Sequence, residues 1–87
     1  YQSHDKVPEQ EQLVAAGCAV HAMQMAAFAQ GYGAIWRTGD FCYDNGVQQS
    51  LNVTDGNDIV GFLYIGTRQK PLADKPRKPF ADFVSYF

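Results

Sequence analysis

Few side chains in this sequence are suited to do chemistry by themselves. Cys18 and Cys42 have neither the spacing of a disulfide framework nor that of a metal site, so both read as free thiols of a reducing cytosol. His4 is isolated, and His21 shares a helix face with Val14, Cys18, Met25 and Phe28, which suits a hydrogen-bonded core or interface histidine better than a ligand or base. Asp40, Asp44, Asp55 and Asp58 stand in turn contexts where capping explains them. Gly31-Tyr32-Gly33 follows a helix instead of a strand and lacks the third glycine of a dinucleotide fingerprint. There is no P-loop, no serine nucleophile elbow and no metal-ligand cluster. A protein so poor in side-chain catalysts would draw its chemistry from a bound cofactor. One basic group remains: Arg68, Lys70, Lys75, Arg77 and Lys78 fall within a single proline-containing segment that could receive a phosphate, or could equally be a solvated loop.

The overall charge excludes one class of partner. A formal net charge of -2 and a sequence pI near 5.4 leave no basic field for nucleic acid.

The element that must position any site is the stretch Leu13 to Gly39. Pro8 suits a first helical turn, Glu9 and Glu11 sit at the positive end of the dipole, and Gly31 suits a left-handed C-terminal cap; together they predict a helix from about Pro8 to Gln30. It is apolar on nearly every side, so it belongs at the centre of a core. Ala15, Ala19, Ala22, Ala26 and Ala29 form a narrow stripe that would let a helix or sheet approach closely, while Leu13, Val14, Val20, Met23, Met25 and Phe28 need deep packing elsewhere. A membrane span is the weaker reading: the apolar run falls short of the ~20 residues a bilayer needs, and it contains His21 and Gln24. No signal peptide precedes it, and the expected location is the cytoplasm.

Tyr32 to Arg37 reads as a strand, with Gly33 permitting close approach of another group. Asp44 or Asn45 can cap a short helix carrying Val47 and Leu51 and ending near Asn52. Thr54 to Asp58 is a turn, and Ile59 to Gly66 is a continuous apolar run, expected to be a central strand covered on both faces. Thr67 to Pro79 should be an extended arm, and Phe80 to Phe87 is greasy enough to add a strand to a sheet. These elements are too few to wrap a helix that is apolar all round. The expectation is therefore the C-terminal part of a single larger domain, 1–87, that needs its N-terminal half or a second subunit.

The run A-A-G-C-A-V-H-A-M-Q-M-A-A-F-A-Q-G-Y-G-A-I-W-R-T-G, the short helix with Val47 and Leu51, and D-I-V-G-F-L-Y-I-G-T follow one another in an order that resembles the C-terminal half of the FMN-dependent nitroreductase family, in its small bacterial NAD(P)H nitroreductase branch. The resemblance implies an α+β fold with a central mixed or antiparallel sheet flanked by helices and a long buried central helix. It implies an intertwined homodimer with FMN at the subunit interface, and ping-pong chemistry: NAD(P)H gives hydride to FMN N5 and leaves, then a nitroaromatic, quinone or similar small-molecule acceptor takes the electrons. A non-catalytic flavin-binding or interaction module on the same scaffold is the alternative.

By the same resemblance, Trp36, Arg37 and Thr38 match the segment that passes the flavin ring, with contacts made partly through the backbone. Lys75 and Arg77 match positions that bind the FMN phosphate, where the guanidinium of Arg77 offers a forked contact. Ala26, Ala27, Phe28, Ala29, Gln30 and Gly31 match a segment that faces the nicotinamide nucleotide, NADH or NADPH. No side chain is implied as a catalyst and no metal is implied.

Overall fold

A computed structural model describes residues 1–87. The elements run α1 (Glu9–Ala29), β1 (Tyr32–Arg37), a 3-10 turn at Asp40–Cys42, α2 (Asn45–Ser50), β2 (Phe62–Thr67) and a second 3-10 turn at Phe80–Phe83. Pro8 is the N-cap of α1, Gln30 closes it, and Gly31 takes φ 89 to turn the chain into β1. β1 and β2 pair antiparallel, with Tyr32 opposite Thr67 and Arg37 opposite Phe62. The helix lies against this ribbon.

The face of α1 that meets the sheet is not the alanine stripe. It is Gly17, Val20, Gln24 and Ala27, spaced three and four apart. A Cβ on Gly17 would stand 3.3 Å from Trp36 Cη2, the Gln24 side chain donates to the Ala34 carbonyl at 3.3 Å, and Ala27 is one of only two buried residues, with Cys42. Gln24 thereby satisfies a sheet-edge carbonyl, a reason for a polar residue in an apolar helix. Ala15, Ala19, Ala22, Ala26 and Ala29 remain exposed.

As the shortage of wrapping elements predicts, the apolar flanks of α1 stay uncovered within this chain. Val14 is 66% exposed, Phe28 62%, Met23 52% and Leu13 41%, with Val20 half-buried. At 21 residues α1 is long and apolar enough to cross a membrane, contrary to the count made from its apolar run alone; its contacts with the ribbon give it a protein partner instead.

Two strand expectations are corrected. β2 starts at Phe62, because the backbone at Gly61 is packed against Trp36 and leaves the ladder there; with only β1 as neighbour, β2 is an edge strand with Tyr64 and Ile65 exposed. Phe80 to Phe87 is not a strand: Phe80–Phe83 is a 3-10 turn, and only Val84, at φ -116 and ψ 129, begins an extended exposed end.

The short helix is capped as its sequence suggests. The Asp44 carboxylate accepts from the Val47 N–H at 2.9 Å. Asp44→Ala should therefore lower stability by about 1 kcal/mol. An unchanged denaturant midpoint in the folded protein would refute this.

Candidate functional site

The end of β1 is built by packing around one ring. Trp36 pairs with Leu63 in the ladder, and its indole N–H donates weakly to the Val60 carbonyl at 3.4 Å. The ring forms part of the wall of an open, largely apolar groove of about 850 Å³, together with Leu13, Val14, His21, Tyr43 and Val60. Arg37 ends the strand. Thr38 and Gly39 lie beyond it, and none of the turn and loop backbone hydrogen bonds engages their N–H groups. Gly39 takes φ 61 and leads into the turn that ends on buried Cys42, whose carbonyl accepts from the Gln48 side chain at 3.1 Å. Thr38 and Gly39 thus present two main-chain donors between a fixed strand and a fixed turn. Such donors can stabilise negative charge that develops on a ligand.

The segment Ala26–Gly31 closes the other end of β1. The Gln30 N–H donates to Ala26 O at 3.1 Å and the Gly31 N–H to Phe28 O at 3.0 Å. Six residues of strand separate Gly31 from Thr38, roughly 23 Å at the usual rise. The two expected cofactor segments are therefore not brought together within one chain. A donor whose nicotinamide reached Thr38 would touch Ala26–Gly31 of that chain only with its distant parts.

Lys75 and Arg77 stand exposed in the irregular run 71–79, and no hydrogen bond joins them to the end of β1. Their charges fit a phosphate in kind.

The structure gives Arg68, read in the sequence only as part of a basic segment, a specific contact. The guanidinium of Arg68 lies 5.3 Å from the Phe28 ring centroid, a cation–π contact, and its stem fills the notch left by Gly33, where a Cβ would stand 2.8 Å from Arg68 Cγ. The close approach expected at Gly33 is thus made by Arg68. Gly61 and Gly17 abut the two ends of the Trp36 ring; an isolated glycine inside each apolar pattern was the available signal. His21, expected to be hydrogen-bonded, is exposed on the groove wall without a hydrogen bond. Near the N-terminus the Tyr1 hydroxyl donates to Asp58 at 2.7 Å, and that carboxylate holds the phenol above its ordinary pKa. The contact favours the fold at neutral pH and is lost as pH rises through the raised value. Three or more metal-ligating side chains gather nowhere.

A sequence model described as "Nitroreductase family" matches residues 1–67, which takes in α1, β1, α2 and β2. The chain is 45% identical over 87 residues to the Escherichia coli protein named "Putative NAD(P)H nitroreductase YdjA", covering 99% of this chain and 48% of that one. It is 30% identical over 82 residues to a Haemophilus influenzae protein named "Putative NAD(P)H nitroreductase", covering 93% and 45%. The crystal structure of a nitroreductase-like family protein from Bacillus cereus superposes with a TM-score of 0.80 at 26% identity, over 95% of this chain and 46% of that one. The chain thus spans about half the length of the curated relatives it matches, which accords with a fold whose central helix lacks most of its cover. A family match through every helix and strand of the ribbon, relatives aligned along nearly the whole chain and a shared fold lead to one conclusion: the chain belongs to the nitroreductase family.

Proposed function

We propose that this chain supplies the flavin-facing strand end and the phosphate-binding arm of an FMN-dependent NAD(P)H oxidoreductase that acts in the cytoplasm as a homodimer. The observation that carries the reading is the pair of unengaged N–H groups at Thr38 and Gly39, at the position where family resemblance puts the flavin ring. When bound, the flavin supplies hydride chemistry between the nicotinamide and a nitroaromatic, quinone or similar acceptor. The chain's own residues bind and orient. Main-chain donors at Thr38 and Gly39 would hold the edge of the ring that gains charge, and Arg77 and Lys75 would neutralise the phosphate. The apolar wall beside Trp36 keeps water from the strand end once the rest of the fold covers it.

The test is an absorbance spectrum of the purified full-length protein with bands near ~370 and ~450 nm, followed by NAD(P)H oxidation with a nitroaromatic acceptor. A colourless protein that takes up no FMN overturns the reading. Stoichiometric flavin without NAD(P)H turnover would leave the non-catalytic flavin-binding module instead.

The arm makes its own prediction. Loss of a charge-assisted hydrogen bond costs about 1.5–3 kcal/mol, so Arg77→Ala should weaken FMN binding about 10- to 100-fold, and Arg77→Lys, which keeps the charge but not the fork, should weaken it less. Flavin fluorescence titration measures both. Equal affinity in wild type and Arg77→Ala would remove Arg77 from the site.

A further inference from the structure

The Trp36 ring is stopped at both ends by a missing side chain. At its benzo corner, Cη2 faces Gly17 in the middle of α1, where a Cβ would stand 3.3 Å away. At its pyrrole side, a Cβ on Gly61 would stand 2.6 Å from Cδ1, closer still to Nε1, and 3.0 Å from the Arg37 carbonyl oxygen. A glycine inside a helix costs about 1 kcal/mol relative to alanine, so its presence at Gly17 calls for a packing reason. The ring itself is 37% exposed and has one long hydrogen bond, so neither burial nor polar contact holds it firmly. Shape does: the indole fits lengthwise between two backbones, one on α1 and one leading into β2.

We infer that Gly17 and Gly61 are positioning residues that act through Trp36 to set the place of the Thr38 and Gly39 donors. The inference rests on the FMN reading above. Trp36, Arg37 and Thr38 are consecutive, so a ring pushed along its length drags the strand end with it. A shift of a few tenths of an ångström at such donors changes how well they match charge on a reduced ligand, because the interaction depends on geometry held in advance.

The two sites separate structure from positioning. Gly17→Ala raises helix propensity and crowds only the ring, whereas Gly61→Ala crowds the ring and the Arg37 carbonyl together and also strains a backbone held at φ 157. In the full-length protein with 5-fluorotryptophan incorporated, the fluorine resonance of Trp36 should shift in both variants, with or without flavin. Gly17→Ala should not lower the thermal midpoint. In Gly61→Ala the preference for reduced over oxidised FMN should fall about tenfold, which a two-electron couple reads as about 30 mV in midpoint potential, and in Gly17→Ala it should fall by a smaller factor in the same direction. Trp36→Phe in the Gly61→Ala background removes the clashing edge and should recover part of the shift. A resonance that stays in place in both variants, or a ring that moves while the bound flavin's potential does not, overturns the inference and leaves the FMN reading intact. A wild-type protein that binds no FMN overturns both.

Discussion

Thr38→Pro should weaken FMN binding and slow flavin reduction far more than Arg37→Ala, which should change both little. Proline at position 38 removes the N–H outright and restricts Arg37 to an extended backbone, which it already has in β1, so the fold tolerates the change while the donor disappears. Removing one preorganised donor from a site of developing charge costs about 10²–10³ in rate. Arg37→Ala trims an exposed side chain at the end of a strand and leaves every backbone group where it was. Both variants are compared in the full-length protein by FMN affinity and by the rate of flavin reduction. A larger loss in the alanine variant would transfer the role from the backbone to the guanidinium and refute the assignment.

Removing Phe80 to Phe87 should lower dimer stability and FMN affinity together. Phe80 is 77% exposed, Phe83 71%, Val84 46% and Tyr86 90%, an apolar end carried on an arm of about a dozen residues that reaches ~35 Å when extended. Burying such side chains is worth about 1.5–3 kcal/mol each, so their loss should raise the dimer dissociation constant at least about a hundredfold. Since the first four residues form a 3-10 turn, any strand added to a partner's sheet would be confined to Val84–Phe87. Sedimentation and flavin retention on the truncated protein decide it. A truncated protein that stays dimeric with all its flavin would place this segment outside the interface.

What the sequence disclosed was local. The ends of α1, the strand at Tyr32–Arg37 and the Asp44 cap each depend on neighbours a few residues away, and each appears where the residue types put it. The alanine stripe misled because small side chains tell how close a partner may come and not which partner; the sheet chose Gly17, Val20, Gln24 and Ala27. The start of β2 was misplaced since nothing near Ile59 in the sequence announces that a distant indole occupies the space beside Gly61. The candidate site divides in the same way. Trp36, Arg37 and Thr38 were legible from a motif, while the two glycines that hold the ring, and Arg68 over Phe28, required the fold.

The ribbon also has a kinetic consequence. β1 and β2 are partners across about two dozen residues, Thr38 to Gly61, and closing a loop of that length costs about 3 kcal/mol before the first ladder bond forms. Within that loop α2 and the turn in which the Asn57 N–H donates to Thr54 O at 3.1 Å form from nearest neighbours alone. They shorten the chain that must be searched. Helices should therefore precede the ladder in folding, and a variant that loosens the loop without touching the strands should slow folding more than it speeds unfolding. Even with Trp36 in its slot between Gly17 and Gly61, α1 keeps Val14, Met23 and Phe28 bare, and until the rest of the fold covers them they are what a chaperone has most to hold.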